Sequence, residues 1–272
     1  MKKWGKNMHF KIIVVISTIN LKDYKELVKR MNLQTDCIII NQTNYDKKEK
    51  YKFDDFNIKI ISVNKKGLSK SRNLGFEYIK DSDIVYFADD NFVFCDNYKQ
   101  KIVNAYTKFK YLDGICFSVK RGNLLKKLNG KLNYLNSFKI FTPQITFKTN
   151  FLMNNNIKFD ERFGSGSRFG SGEENILLFE CLDKKANIYG SDEVLGIKTD
   201  FRPSTWFNGY NRDFLFNRGA IFTRMSKKYS FLLILQFSIR KYKLYSKENI
   251  GFFEALKHML KGRKYFLELD SE

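Results

Sequence analysis

The sequence predicts an α/β protein with a mixed, mainly parallel central sheet flanked by helices and a helical extension at its C-terminal end. Three observations carry this expectation. Short apolar runs are rich in Ile and Val, helix-patterned stretches alternate with them through the first half, and the last part is aromatic, basic and helical in pattern. Strands apolar at every position are covered on both faces, as in a parallel sheet sandwiched by helices.

The elements follow in order. Residues 12–16 are a continuous β-branched strand. Residues 21–31 read as a helix with Leu27, Val28 and Met31 on one side. Residues 37–40 form a second strand, 47–55 a charged polar loop, and 58–63 a third strand. A second helix covers 68–79 and a fourth strand 84–87, with further strands at 115–119 and 144–147. Gly164, Gly166, Gly170 and Gly172 mark a flexible loop before a helix over 173–185. Helices at 229–244 and 252–261 end the chain. In the first of these, Phe231, Leu232, Leu235 and Ile239 either face a core or, beside Arg240, Lys241 and Lys243, an anionic lipid surface.

The 272 residues suffice for one large domain, or one domain with an appendage. With 43% hydrophobic and 29% charged residues the composition is globular, which excludes wholesale disorder. The net charge of +20 suits nucleic acid, anionic lipid or phosphorylated substrates. Together with 16% aromatic residues, it keeps a nucleic-acid-binding protein as the alternative reading, although no nucleic-acid motif accompanies it. Cys37, Cys95, Cys116 and Cys181 form no C-x-x-C pair, so reduced, mostly buried thiols are expected. His9 and His258 are the only histidines, which disfavours a histidine base or a multi-histidine metal site. Lys2, Lys3 and Lys6 before the apolar 12–16 run imitate a signal peptide, but the run is short and no small-x-small cleavage site follows. Neither an export signal nor a membrane-spanning segment is expected.

Three segments bear chemistry. Asp89-Asp90-Asn91 directly follows an apolar strand, and ligands of open parallel sheets collect at the carboxyl ends of strands. Adjacent carboxylates there suit a divalent cation with oxygen ligands, while the same triplet also makes an ordinary turn. Gly67-Leu68-Ser69-Lys70-Ser71-Arg72-Asn73 reads either as a plain helix start capped by Ser69 or as an anion site. Gly172-Glu173-Glu174-Asn175 either complements a helix dipole or supplies a general base.

In chain order, the segment from Gly67 to Asn73, then Ala88-Asp89-Asp90-Asn91, then Phe159-Asp160-Glu161-Arg162-Phe163-Gly164, then Gly172-Glu173-Glu174-Asn175 resemble family 2 glycosyltransferases of the GT-A type. Ser204-Thr205-Trp206, Gly209-Tyr210 and Arg218-Gly219-Ala220 extend the resemblance toward bacterial enzymes that build capsules, exopolysaccharide or lipopolysaccharide. The resemblance covers residues 10–225 and implies a GT-A domain over 8–225, with a basic amphipathic extension over 226–272. It implies an inverting, metal-dependent transferase using Mn²⁺ or Mg²⁺.

By position, Asp90 matches the cation-binding acid, joined here by Asn91, and Asp89 matches its ribose-contacting neighbour. Arg72 matches the arginine near the diphosphate. Ser17, Asn41, Lys70 and Asn73 complete the implied donor-binding set. Glu174 matches the base, with Glu173 beside it. Ser71 stands where relatives often carry Ala, and Asn41 where many carry a uracil-reading Asp. No histidine occurs near Lys198, where some relatives place a metal ligand; Lys198 or Asp200 fills that space. The implied partners are a nucleotide sugar, with a UDP sugar favoured, and a glycan or lipid-linked glycan acceptor. A membrane surface and a homodimer are carried as further partners, and nucleic acid is not expected. The expected location is the cytoplasm, peripherally on the inner face of the cell membrane.

Overall fold

The computed structural model describes residues 10–199 and 207–271. Ser204-Thr205-Trp206, Asp200 and the N-terminal lysines lie outside the described residues. The elements are β1 (Ile12–Ile19), α1 (Tyr24–Met31), β2 (Cys37–Gln42), β3 (Lys47–Phe53), β4 (Phe56–Val63), α2 (Leu68–Phe76), β5 (Ile84–Asp89), β6 (Phe92–Phe94), α3 (Tyr98–Lys108), β7 (Gly114–Arg121), β8 (Leu124–Lys126) and β9 (Gly130–Lys131). They continue with α4 (Tyr134–Ser137), β10 (Ile145–Lys148), α5 (Thr149–Asn154), α6 (Glu173–Asp183), β11 (Ile188–Lys198), α7 (Arg212–Met225), α8 (Ser230–Arg240), α9 (Tyr242–Tyr245) and α10 (Phe252–Leu269).

The chain forms two compact units. Among the described residues, the first comprises 10–66, 70–158 and 181–199, and the second 67–69, 159–180 and 207–271. The whole sheet belongs to the first unit, in the order β3-β4-β2-β1-β5-β10-β7-β11-β6. Strands β4, β2, β1 and β5 run parallel, and β10 enters antiparallel between β5 and β7. The predicted apolar runs form this centre: Val14, Val15, Ile16, Ile39, Ile40, Val85 and Phe87 are all fully buried. Each such side chain contributes about 1.5–3 kcal/mol by leaving water. Helix α1 buries the predicted Leu27, Val28 and Met31, and Asp23 caps it through Lys25 N.

One expected loop is a strand. Residues 47–53 pair antiparallel with β4 at the sheet edge. Glu49, Tyr51 and Phe53 turn half inward while the lysines face out, the alternation of a half-buried edge strand. Tyr51 stacks on Tyr24 with ring centroids 4.2 Å apart. The charge density of the segment masked its period of two. All four cysteines are free, and three are buried, as expected. Burial pushes the Cys116 thiol up to about 12, so it packs as an inert apolar group.

The second unit is built on helices. In α7, a Cβ on Gly219 would collide with the Met259 carbonyl of α10, and one on Gly262 of α10 would collide with the Phe216 carbonyl of α7. The two helices therefore approach at a reciprocal pair of glycines. The glycine-rich segment is more ordered than the flexible loop expected of it. Phe163 and Phe169 are fully buried, stack at 4.8 Å and pack on Phe266 of α10, while Gly164 N and Phe169 N donate to Phe169 O and Arg162 O. In α8 the buried side chains are Ser230, Ile234, Phe237 and Ser238. Of the stripe offered to a core, Phe231, Leu232 and Ile239 are exposed instead, at 49, 59 and 63%, and Leu235 is half-buried. Among the described residues, no helix is long and apolar enough to cross a membrane.

Candidate active site

In the first unit, polar side chains gather where β1, β2, β4 and β5 end. Ser17 and Thr18 close β1, Asn41 and Gln42 close β2, Ser62 lies near the end of β4, and Asp89 ends β5. Ser17 sits opposite Asp89, Thr18 opposite Asn41, and Asn41 opposite Ser62. Strand β1 has β2 on one side and β5 on the other, so the connections leave it in opposite directions. This is the switch point at which open α/β sheets bind ligands. The apolar strands bring these residues to one edge, and the turn at Asp90-Asn91 reverses the chain into β6.

The charges there are paired. Arg72, projecting from α2 and 1% exposed, donates from Nη2 to Asp89 Oδ1 at 2.8 Å. Lys198 Nζ lies 3.9 Å from Asp89 Oδ2. Thr18 Oγ1 donates to Asp90 Oδ2 at 2.7 Å, and Arg30 Nη2 reaches the Asp90 carbonyl at 3.4 Å. Asn41 is engaged at both ends, accepting from Leu21 N at 2.9 Å and donating to Ser62 Oγ at 3.2 Å. Asn73 is half-buried on α2, while Lys70 is exposed and makes no ion pair among the described residues.

At this edge two buried oxygens, Ser17 Oγ and Asn91 Oδ1, have no hydrogen-bond partner among the described residues. An orphaned amide oxygen next to the half-buried Asp90 carboxylate is a donor set suited to Mg²⁺ or Mn²⁺, which take oxygen ligands and leave several positions to phosphate and water. No group of three or more His, Cys, Asp or Glu occurs among the described residues, so a cation here relies on ligands beyond the acidic side chains.

In the second unit, α6 opens on Glu173 and Glu174. Glu173 is buried, at 5% exposure, and Glu174 is half-buried. Gly172, at φ +94°, precedes them where a Cβ would press within 2.9 Å of the Ile221 side chain of α7, so glycine is required on both counts. Ser69 does not cap α2 as read; it lies inside the helix and its Oγ donates to Phe163 O at 2.6 Å.

Asp160 anchors a charge network. Arg162 binds both its oxygens at 2.9 and 2.7 Å, and Arg224 Nε reaches Oδ2 at 2.7 Å. Arg224 also donates to Glu180, and Arg162 to Asp270 near the end of α10. Burial disfavours the Asp160 charge, but the hydrogen bonds from Arg162 and Arg224 outweigh it and hold its pKa below the ordinary value.

Thr18, Arg30 and Arg218 were assigned no function from sequence. Thr18 directly follows Ser17 at the strand end, which is a usable signal. The Arg30 contact depends on α1 packing and leaves no sequence trace.

The described chain superimposes on residues 1–349 of TarS from S. aureus with a TM-score of 0.60 at 16% identity, covering 93% of this chain and 80% of that one. The fold is of the GT-A glycosyltransferase type. A longer TarS structure gives 0.57 at 15% identity over 85% of this chain and 43% of that one. The mannosyltransferase PcManGT from Pyrobaculum calidifontis, in complex with GDP-Man and Mn²⁺, gives 0.51 at 9% identity over 94% and 74%. No family model matches the sequence, and no curated protein matches it. The GT-A fold agrees with the expectation drawn from motif order.

Proposed function

We propose that this GT-A protein is an inverting glycosyltransferase that moves a sugar from a nucleoside diphosphate, with a UDP sugar favoured, to a hydroxyl of a glycan acceptor in surface-polysaccharide synthesis. The observation that supports it most is the Asp89-Asp90-Asn91 turn at the β1/β5 switch point, with a buried Arg72 beneath it. Asp90 and Asn91 would hold Mn²⁺ or Mg²⁺, and Asp89 would meet the ribose. When bound, such a cation would offset charge on the departing diphosphate.

The chain's own residues carry the remaining roles. Arg72 donates to Asp89 Oδ1 and would bring its guanidinium charge to the phosphate oxygens, while Lys198 adds positive charge. Ser17, Asn41, Lys70 and Asn73 complete the donor set. Glu174, the more exposed member of its pair, would take the acceptor hydroxyl proton. The acceptor oxygen then bonds to the anomeric carbon from the face opposite the leaving group. The carbon–oxygen bond to the diphosphate breaks, and its electron pair leaves with the diphosphate. One displacement inverts the anomeric centre.

The same reading places the protein peripherally on the inner face of a membrane, acting on a lipid-linked acceptor. In its support, α8 turns Phe231, Leu232 and Ile239 outward near the exposed Lys228, Arg240 and Lys243. Nucleotide release from a panel of UDP, GDP, TDP and CMP sugars, with Mn²⁺, Mg²⁺ or EDTA, tests the proposal. Metal-dependent release from one donor class is expected. Absence of binding to every donor, with and without metal, would overturn it.

A further inference from the structure

Arg218 makes no close ion pair among the described residues, and the Glu174 charge acts on it only from beyond salt-bridge distance. It projects from α7 and is half-buried, yet its Nε is buried with no hydrogen-bond partner among the described residues. No ion pair to it occurs among the described residues, whereas Arg162 and Arg224 of the same unit are bound to carboxylates. Three phenyl rings surround the guanidinium: Phe214 at 4.9 Å, Phe237 at 5.6 Å and Phe222 at 5.9 Å.

Rings of this kind attract a cation through their faces. Desolvating a charge is costly, and rings supply no acceptor for its N–H groups. Burial accordingly lowers the Arg218 pKa, and the nearby Glu174 charge opposes that shift. A guanidinium so placed presents a fixed fork of donors suited to a phosphate or another planar or tetrahedral oxyanion.

Its position says which molecule would bring that oxyanion. Ile221, three residues after Arg218 and hence on the same face of α7, packs against Gly172, the residue before Glu173 and Glu174. Arg218 therefore lies beside the start of α6, where the proposed base stands. An anion at Arg218 would belong to the molecule whose hydroxyl meets Glu174, which is the acceptor.

We infer that Arg218, in its cage of Phe214, Phe222 and Phe237, is a subsite for a phosphate group carried by the acceptor. This rests on the reading of Glu174 as the base. A phosphate there would satisfy the open guanidinium and fix the acceptor chain relative to the hydroxyl to be glycosylated.

The test uses the full chain and inorganic phosphate as probe, with chloride at matched ionic strength as reference. Melting temperature is followed against phosphate concentration for the wild type, Arg218→Met, Arg218→Lys and Asp90→Asn, and UDP affinity with Mn²⁺ is measured for each. The wild type and Asp90→Asn should be stabilised by phosphate. Arg218→Met should bind phosphate at least tenfold more weakly, Arg218→Lys should be intermediate, and UDP affinity in both should stay within about twofold. Arg218→Lys, which retains the charge, carries the test if Arg218→Met does not fold. Loss of UDP affinity on changing Arg218 would assign it to the donor diphosphate and overturn the inference. Equal phosphate stabilisation in all variants would make Arg218 a structural cation and overturn it too. If the wild type binds no nucleotide, the glycosyltransferase reading fails while the phosphate result still reports on Arg218 alone.

Discussion

Two arginines, Arg72 buried and Arg218 half-buried, divide the molecule's chemistry. Arg72, at the strand edge of the first unit, meets Asp89 at 2.8 Å in a cluster where Thr18, Asn41 and Ser62 also find partners. Arg218, in the helical second unit, is faced by rings, with the Glu174 charge acting on it from beyond salt-bridge distance. A close ion pair offsets the cost of desolvation at the first, whereas rings and the more distant Glu174 charge do so at the second. The paired cluster is preorganised before any ligand arrives, as electrostatic stabilisation of a leaving group requires. On the proposal above, Arg218 belongs to a site completed by an oxyanion of the acceptor. Beside it, the Asp160 network shows that the second unit can saturate its charges: Arg162 and Arg224 share one carboxylate.

The largest expected effect falls on the second unit. Glu174→Gln should lower kcat by about 10²–10⁴ with donor affinity unchanged, because proton removal matters only in the transition state. Glu173→Gln should be milder in kcat, since Glu173 is buried. Steady-state kinetics with separate donor-binding titrations check this, and a dead Glu173→Gln would exchange the two roles.

Asp160→Asn should cost about 2–3 kcal/mol at pH 7, a buried-pair loss reduced because its arginine partners are about a third exposed. The Asp160 pKa is depressed in the folded state, so its contribution is complete above the unfolded value of about 4 and disappears as pH falls through the folded value. Urea unfolding from pH 7 to pH 2.5 should show the gap between wild type and variant narrowing only below about pH 4. A constant gap would mean that Asp160 acts through packing.

These regions differ equally in how much the sequence disclosed. The sheet was legible because Ile12–Ile19 and Ile84–Asp89 are apolar almost throughout, and strand ends point at ligands in this fold class. Asp89, Asp90 and Arg72 were legible because they follow such strands or begin the next helix. Strand β3 was hidden by its lysines, which an edge strand tolerates. The solvent face of α8 stayed open between two readings, since an amphipathic stripe does not say which neighbour covers it. Arg218 was visible in the Arg218-Gly219-Ala220 motif but had no role, because lacking a partner is a property of packing alone.

Arg72→Lys keeps the charge at the strand edge but removes the fork. Donor affinity should fall about tenfold, which isothermal titration with UDP and Mn²⁺ reads directly. An unchanged affinity would leave Arg72 as a purely structural partner of Asp89. The smallest effect is expected on α8. The triple change Phe231→Ser, Leu232→Ser, Ile239→Ser should reduce co-sedimentation with anionic vesicles several-fold while leaving the melting temperature nearly unchanged, since all three are exposed. Equal binding by both proteins would assign this face to something other than lipid.

The central claim is that the turn at Asp89-Asp90-Asn91 holds a nucleotide sugar through a divalent cation. Its most direct test is calorimetric titration of UDP and GDP sugars into wild type and Asp90→Asn, each with Mn²⁺ and with EDTA. The account predicts micromolar to millimolar binding of one nucleotide class by the wild type, weakened at least tenfold by EDTA and by Asp90→Asn, with the two losses non-additive. Donor binding that is indifferent to both EDTA and the Asp90 carboxylate would contradict it.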